Sequence, residues 1–338
     1  MIEGFYGPPW THAERLDLLR FCGRHGLNTW VHAPKDEPYH RKLWREPYPA
    51  EELERLEELA AVAASEGVEL AWAVAPGLSV CYSDERELAA LVAKREQVRG
   101  AGVGRIQLLW DDIEPEFRCP GDRDRYGGEV SPMAAAHAEL SNRFLREQPG
   151  SGPLVICPMG YAGVGPTPYR ETLARLLDPE IVVYWTGPDV VPQAVTREEL
   201  DATAGAFDHE LLLWDNYPVN DFDPGRLFLG PLLGRDPRLL GGRLVGMVAN
   251  GMVQAVPSKL ALATVAEFAR DPVAYDAAAS YERALREHGE EVVAALCLLA
   301  PDPAPAEVAA PADVQALIEA LAPGVDAATA LVLLQPFA

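Results

Sequence analysis

Apolar, β-branched and aromatic runs recur along the chain at roughly even intervals, and each is followed by a segment with helical periodicity. This alternation is typical of βα units, in which helices connect parallel strands. Eight such runs are present, at residues 2–7, 27–34, 68–76, 105–110, 154–158, 181–186, 211–214 and 244–250. They predict eight parallel strands.

The intervening segments are amphipathic, for example THAERLDLLRFCGRHG, PAEELERLEELAAVAASEG, DERELAALVAKREQV and TPYRETLARLL. Several begin with a Thr or Asp cap and several end at Gly. Eight such units predict an α/β fold of the (β/α)₈ (TIM) barrel type, because a doubly wound sheet usually has fewer strands and a GxGxxG turn that this chain lacks. The seventh unit is the weakest: residues 216–242 are rich in Pro and Gly and predict a long ordered loop with only a short helix.

From about Pro272 the composition shifts towards Ala, Leu and Pro. Helical stretches SYERALREHGEEVVAALCLLA, PADVQALIEALA and DAATALVLL flank a Pro-Ala spacer, PDPAPAEVAAPA. We therefore expect a barrel over residues 1–271 and a C-terminal helical appendage over residues 272–338, packed on the barrel.

Composition limits the partners. The 51 acidic residues exceed the 29 Lys and Arg, and the net charge of -22 predicts a surface that repels nucleic acid and anionic lipid. The sequence has neither a signal peptide nor eighteen successive uncharged apolar residues, so we expect a cytoplasmic protein without a membrane span. Five cysteines, odd in number and without a CxxC pair, argue against a disulfide framework or a zinc site and favour a reducing compartment; they are Cys22, Cys81, Cys119, Cys157 and Cys297.

The stretch LLWDDIEP places two adjacent carboxylates, Asp111 and Asp112, directly after an apolar strand. Ionised carboxylates side by side repel, so one is expected to hold its proton more tightly than an isolated Asp. An Asp pair in a turn also commonly caps a helix, and the pair alone does not separate these interpretations.

In a barrel, chemistry lies at the carboxyl ends of the strands, and nearly every predicted strand here ends in polar or aromatic residues. Any one of them alone has a structural explanation as a turn, surface or rim residue. Together they predict a polar pocket with aromatic walls, which suits a sugar because hydroxyls need carboxylate and amide partners and a pyranose face stacks on indole. The candidates are Gly4, Lys35, Asp111, Asp112, Tyr161, Trp185, Trp214, Asn216, Asp221 and Asn250.

Over residues 2–270 the chain carries the motifs EGFYGPPWTHAERL, NTWVHAPKDEPYHRKLWREPY, LLWDDI, VVYWTGPDVV and LLLWDNYPVNDFDPGRLFLGPLLGR, followed by Asn250. These motifs occur in the same order in glycoside hydrolase family 84, which the chain therefore resembles. The members of that family are retaining β-N-acetylglucosaminidases, the O-GlcNAcases of bacteria and animals. The resemblance implies that the substrate carries terminal β-linked N-acetylglucosamine, on Ser or Thr of proteins or in small glycosides, and that no cofactor or metal is needed. Bacterial relatives often have an additional amino-terminal α/β domain, which we expect to be absent because the first strand begins at Met1.

The resemblance also implies roles, through substrate assistance, in which the sugar's own acetamido oxygen attacks the anomeric carbon and forms an oxazoline. Asp111 would accept the acetamido N–H, and Asp112 would protonate the leaving oxygen and then deprotonate water. Tyr161 would donate a hydrogen bond to the acetamido oxygen, and Asn216 would hold the acetamido group or Asp111 in place. Trp214 would form part of the wall around the methyl of the acetamido group. The ring hydroxyls would be bound by Asp221, Asn250, Lys35 and the Gly4 carbonyl.

Two departures from the family pattern stand out. Pro158-Met159-Gly160-Tyr161 replaces the common Pro-Thr-Glu-Tyr, and Gly251 follows Asn250 where Pro is usual. We expect an altered backbone course near Tyr161, a looser loop at Asn250 and a changed acceptor preference. Two other hypotheses remain: a weakly catalytic protein that binds N-acetylglucosamine, and an Asp-Asp metal site for phosphoryl transfer with Glu114 and Glu116 as further ligands.

Overall fold

The computed structural model describes residues 1–147, 152–223 and 226–299. Its eight strands are all parallel and pair in chain order, as predicted. A bridge between Ile2 and Asn250 brings the last strand beside the first, so the sheet curves into a barrel. The strands are β1 (Ile2–Glu3), β2 (Thr29–His32), β3 (Glu69–Val74), β4 (Arg105–Leu109), β5 (Val155–Cys157), β6 (Val182–Trp185), β7 (Leu211–Asp215) and β8 (Leu244–Ala249).

Nine helices of the described residues surround the barrel. The first helix has the caps that its sequence predicts: Thr11 and Glu14 form a reciprocal capping box, and Gly26 ends the helix in the left-handed conformation. The helices are α1 (His12–His25), α2 (Ala50–Ser65), α3 (Glu85–Gly100), α4 (Pro120–Tyr126), α5 (Pro132–Arg146), α6 (Pro168–Leu176), α7 (Arg197–Phe207), α8 (Ala255–Arg270) and α9 (Ala277–Leu299).

Except for β8, where Val245 is 49% exposed, the strands are largely buried on both faces, which explains the continuous apolar runs. In β3, Ala71 and Ala73 pack in the inner cluster that fills the barrel, whereas Trp72 and Val74 pack outward against the helices. The alternation follows the two-residue period of a strand. Along a strand, register therefore decides which side chains can reach the barrel mouth.

The loop after β7 is long, as predicted, but its described residues contain no helix, so the predicted short helix is wrong. Over residues 216–223 and 226–243 the chain forms turns and extended segments. Side-chain bonds hold it instead, including a buried Arg235–Asp215 ion pair at 2.6 Å and a Tyr217 hydroxyl that donates to the Gly230 carbonyl at 2.7 Å. Repeated Pro and Gly deny this segment the amide donors and the backbone preference that a helix needs.

The predicted helix over residues 280–300 corresponds to α9, which packs along α8. The Lys259 ammonium also joins it to α1, through Asp17 at 2.7 Å and Glu291 at 2.6 Å. The two later helices, at residues 311–322 and 326–334, lie outside the described residues, and the boundary at residue 272 stays a prediction. Within the described ranges, no helix combines the length and apolarity needed to cross a membrane.

The expectation of no disulfide is wrong, because Cys81 and Cys119 are joined, with their Cα atoms 5.7 Å apart. They follow the neighbouring strands β3 and β4, so the barrel brings together residues that lie 38 positions apart in sequence. Spacing in the sequence does not reveal this proximity. The inference of a reducing compartment rested on the absence of disulfides and loses that support.

Candidate active site

A cavity of about 230 Å³ opens at the carboxyl ends of the strands. This is below the usual range for drug-sized ligands, and it suits a single sugar unit. Nine of the ten candidate residues line it: Gly4, Lys35, Asp111, Asp112, Tyr161, Trp214, Asn216, Asp221 and Asn250. The rest of the wall is formed by Tyr6, Cys157, Thr186, Val190, Val191, Val219 and Phe222.

Trp185 is the candidate that the structure places elsewhere. Its side chain is fully buried, its indole N–H donates to the Gly163 carbonyl at 2.9 Å, and it packs in the outer cluster. Tyr184 faces the barrel interior, so the alternation of β6 turns Trp185 towards the helices. Assigning Trp185 to the pocket wall was therefore wrong, and Thr186 takes that place.

The two adjacent aspartates line the same pocket because the chain turns between them. Successive side chains of an extended strand point to opposite faces. Asp112 has φ 52°, in the left-handed region that Asp tolerates better than most residues. The turn brings the Asp112 carboxylate back to the cavity that Asp111 already lines.

Lys35 lies between the two carboxylates. Its ammonium contacts Oδ2 of Asp111 and is 3.8 Å from Oδ2 of Asp112, and its side chain is buried. Burial opposes the charge, but the two carboxylates outweigh burial and raise the pKa of Lys35. The Lys35 ammonium is therefore a charged hydrogen-bond partner of Asp111, in addition to any role towards sugar hydroxyls.

Asp111 keeps one oxygen unoccupied. Its side chain is buried, yet no group in the described part of the chain donates to its Oδ1. Buried acceptors are rarely left unpaired, because an unsatisfied polar group costs roughly 1–3 kcal/mol. Oδ1 is thus an acceptor available to a donor from a bound ligand.

Asp112, by contrast, is fully engaged. The hydroxyls of Tyr161 and Tyr6 donate to its Oδ1 and Oδ2, each at 2.8 Å, and Arg41 donates to its carbonyl at 2.9 Å. Burial is the largest influence and raises the pKa of Asp112, but Lys35, the two tyrosine hydroxyls and Arg41 together outweigh it and lower that pKa. With its pKa lowered, Asp112 is ionised at neutral pH. Mutual repulsion was expected to make the proton donor a weaker acid, and for Asp112 these partners reverse that expectation.

Two amides brace the far wall. The Asn216 side-chain oxygen accepts from the Trp214 indole at 2.9 Å and from the Asn250 amide at 3.0 Å, while the Asn216 amide donates to the Val190 carbonyl at 2.8 Å. The Asn250 oxygen accepts from the Gly4 N–H at 3.0 Å. Asn250 and Asn216 therefore fix the positions of Gly4 and Trp214 as well as facing the pocket.

Gly4 is the place in the pocket where a side chain is not tolerated. A Cβ built there would lie 2.5 Å from the Trp214 ring. The absence of a side chain lets the indole cross the end of β1 and form the pocket wall. Asp221, in the loop after β7, closes the same side by accepting from the Tyr6 N–H at 2.7 Å.

The backbone around Tyr161 is held by Arg170, which is buried on α6. Its guanidinium donates to a fan of carbonyls on the loop after β5, those of Gly160, Ala162, Gly163 and Gly165. A Cβ at Gly160 would approach the Tyr169 ring to 3.0 Å. Met159-Gly160 therefore belongs to a locally fixed path in which the Tyr169 ring occupies the space beside Gly160.

The loop at Asn250 is not loosened by Gly251. The Gly251 N–H faces the Ile2 carbonyl at 3.4 Å, a contact that proline cannot make. A Cβ at Gly251 would also lie 2.7 Å from the Trp10 ring. Glycine here allows close packing of Trp10 against the end of β8.

Tyr6 and Arg41 contact Asp112, and the sequence interpretation did not include either as a site residue. Tyr6 carried a usable signal, since it lies in the segment that ends the first predicted strand. Arg41 carried none, because it lies in a loop; the structure shows that it donates to both the Tyr6 hydroxyl, at 2.8 Å, and the Asp112 carbonyl.

The hypothesis of an Asp-Asp metal site is not supported. Asp111 and Asp112 bracket the Lys35 ammonium, and Glu114 and Glu116 do not join them in a convergent set of ligand atoms. Among the described residues, the His, Cys, Asp and Glu side chains that do converge lie elsewhere, at the contact between α1 and α9.

Comparison with known proteins agrees with this geometry. Residues 1–300 match the model of a family described as beta-N-acetylglucosaminidase. The proteins named protein O-GlcNAcase of Rattus norvegicus and Mus musculus are each 34% identical to this chain over 272 residues. Those matches cover 79% of this chain but 29% of either relative, so the chain corresponds to less than a third of their length.

Two solved structures share the fold and the sequence. A mutant of the Thermobaculum terrenum O-GlcNAc hydrolase superimposes with a TM-score of 0.81 and 32% identity, over 94% of this chain and 70% of that one. CpGH84B superimposes with a TM-score of 0.77 and 34% identity, over 85% of this chain and 50% of that one. The chain therefore belongs to the β-N-acetylglucosaminidase family, glycoside hydrolase family 84.

Proposed function

We propose that the protein hydrolyses terminal β-linked N-acetylglucosamine with retention of configuration, by substrate-assisted catalysis. The observation that carries the proposal is the pairing of two unlike aspartates in one pocket. Asp111 has a buried oxygen without a donor, and its neighbour Asp112 is surrounded by donors. One carboxylate can act as the acid and base while the other orients the substrate only if the two lie in different environments.

In the first step, the acetamido N–H donates to Oδ1 of Asp111, while Lys35 holds Oδ2. A negative charge beside the N–H makes the acetamido oxygen a better nucleophile. That oxygen attacks the anomeric carbon as the bond to the leaving oxygen breaks, which gives a protonated oxazoline (an oxazolinium ion) whose N–H stays bonded to the Asp111 carboxylate. Fixing the nucleophile within the pocket supplies much of the rate, because correct orientation replaces a bimolecular encounter.

Asp112 must be protonated to assist the leaving oxygen, whereas its surroundings in the free protein lower its pKa and favour the ionised form. A bound sugar removes water from Asp112 and offers the Tyr161 hydroxyl a second acceptor, the acetamido oxygen. Both changes raise the pKa of Asp112, so it takes up a proton as substrate binds. After donating that proton, it deprotonates the water that opens the oxazoline from the same face.

We assign recognition of the sugar to the side of the pocket formed by Asp221 and Trp214. The Asp221 carboxylate suits adjacent ring hydroxyls, since each charge-assisted hydrogen bond contributes roughly 1.5–3 kcal/mol. Trp214 provides an apolar surface for the acetamido methyl group. At the mouth, Val190 and Phe222 are exposed at 41% and 54%, and they offer an apolar rim to the group attached to the sugar.

The substrate class follows from the size of the cavity and from the relatives. A space for one sugar unit favours terminal N-acetylglucosamine over an internal residue of a polymer. The names of the relatives, protein O-GlcNAcase and O-GlcNAc hydrolase, support the modified Ser or Thr of a protein as the bearer of the sugar. Small aryl glycosides are the practical probes.

The test compares a chromogenic β-N-acetylglucosaminide with the matching β-glucoside, which lacks the acetamido group. We expect chromophore release from the first and none from the second. Robust release from the glucoside would contradict substrate assistance. Saturable binding of N-acetylglucosamine without release from either compound would identify a sugar-binding protein instead.

A further inference from the structure

Three potential metal ligands converge where α9 meets the end of α1. The Nε2 atoms of His25 and His288 are 2.8 Å apart, and Oε1 of Glu287 is 3.4 Å from the first and 3.6 Å from the second. α1 ends just before β2 begins, so this cluster lies at the opposite end of the barrel from the sugar pocket. The proposed hydrolysis does not use these residues.

The spacing of the three atoms matches a small ion. One point lies about 2 Å from all three, which is the distance expected for Zn–N and Zn–O bonds. Two imidazoles and one carboxylate form a mixed nitrogen and oxygen set that suits Zn²⁺ better than the oxygen-seeking Mg²⁺ or Ca²⁺. We propose that His25, Glu287 and His288 bind one Zn²⁺ ion, with water as the fourth ligand.

The surroundings orient the ligands as a metal site requires. The Nδ1 atom of His288 bonds Oε1 of Glu291 at 2.7 Å, and this carboxylate–histidine pair directs the lone pair of Nε2 towards the cluster. The other Glu291 oxygen is held by Lys259 at 2.6 Å. The Phe21 ring packs against both imidazoles, with centroids 4.3 Å from His25 and 5.1 Å from His288. The rings are therefore fixed in place by packing as well as by hydrogen bonds.

Access and the fourth ligand come from the solvent side. The Glu287 side chain is 52% exposed, whereas that of His288 is 3% exposed. An ion can reach the cluster past Glu287, and a water molecule can complete a tetrahedron there. A bound ion would fasten α9 to the barrel through residues 263 positions apart in the sequence.

The test uses the full chain, stripped with a chelator and then titrated with ZnCl₂ in a calorimeter. We expect one Zn²⁺ per chain, and a loss of affinity of at least about 10-fold in Glu287→Ala and in His25→Gln. His12→Gln is the matched control, because His12 lies on the same helix and pairs with Glu58 instead. Its affinity should equal that of the unmodified protein.

A second measurement covers the case in which His25→Gln does not fold. Zn²⁺ at about 100 times its Kd should raise the Tm of the unmodified protein by on the order of 4 °C, and MgCl₂ should not. At the same Zn²⁺ concentration, the exposed Glu287→Ala variant should show at most about half of this shift. Equal Zn²⁺ affinity and equal Tm shifts in all variants, or no Zn²⁺ binding at all, would overturn the proposal and leave a plain hydrogen bond between the two histidines.

Discussion

The Tyr161 hydroxyl donates a hydrogen bond to Oδ1 of Asp112 over 2.8 Å. The same hydroxyl is the group assigned to the acetamido oxygen of the substrate. A tyrosine has one hydroxyl hydrogen, so it cannot serve both acceptors at full strength. The proposed mechanism therefore couples substrate binding to the protonation state of Asp112 through Tyr161.

The pH dependence of the reaction should reveal this coupling. In the free protein the pKa of Asp112 is lowered, so its protonated form is lost at a lower pH than for an ordinary Asp. The proposed mechanism gives Asp112 a higher pKa in the complex, so there the protonated acid should persist to higher pH. Because kcat/KM reports the free protein and kcat reports the complex, the alkaline decline of kcat should lie at higher pH. Coincident declines, measured with a chromogenic N-acetylglucosaminide, would count against the coupling.

Replacing Tyr161 with Phe removes one donor from the ionised form of Asp112. The pKa of Asp112 in the free protein should rise, and the alkaline decline of kcat/KM should move to higher pH. Loss of one positioning hydrogen bond should also lower kcat by about 10-fold. Tyr275→Phe is the control, since its hydroxyl donates to the Leu232 carbonyl far from the pocket. A kcat/KM profile that does not move in Tyr161→Phe would mean that this hydroxyl does not hold Asp112 ionised.

Lys35→Met should destabilise the fold, because it leaves the buried Asp111 carboxylate without its cation. Removing one partner of a buried pair costs about 3–5 kcal/mol. The double variant Lys35→Met/Asp111→Asn should recover at least about 1 kcal/mol of that loss, because the unpaired charge is gone. Urea unfolding measures both values. Arg86→Met, which breaks the exposed pair with Asp84, is the control and should cost far less than Lys35→Met. Strictly additive effects of the two substitutions would show that Lys35 and Asp111 do not depend on each other.

Gly4→Ala should damage the pocket through a single methyl group. The new Cβ would lie 2.5 Å from the Trp214 ring, so the indole must shift. We expect a loss of about 1–3 kcal/mol in unfolding free energy, together with a fall in kcat/KM. Gly205→Ala, in α7 with open space around its Cβ, should instead stabilise the protein by up to about 1 kcal/mol. Equal effects of the two substitutions would remove the claimed role for the Gly4–Trp214 contact.

The sequence predicted the barrel well because most of its strands are buried on both faces and so appear as continuous apolar runs. Asp111 and Lys35 were found for the related reason that they follow such runs directly. Trp185 was misplaced because β6 is apolar on both faces, so its sequence does not show towards which face the last side chain points. Which face it takes depends on pairing with β7, and that pairing is not visible in the local pattern.

Contacts between distant loops were the part that the sequence did not reveal. The Cys81–Cys119 bond and the bonds of Arg41 join loops that follow different strands. The approach of His25 to His288 depends on how α9 packs against the barrel. No periodicity or spacing encodes such contacts, since they arise only when the whole barrel has closed.

The central claim, that Asp112 is the proton donor and Asp111 orients the acetamido group, is tested most directly by leaving-group dependence in Asp112→Asn and Asp111→Asn. Rates are measured on N-acetylglucosaminides with a poor and a good leaving group. Asp112→Asn should slow the poor leaving group by roughly 10²–10⁴ and the good one far less, because a good leaving group needs little acid assistance. Asp111→Asn should slow both about equally. The same leaving-group dependence in the two variants would contradict the assignment.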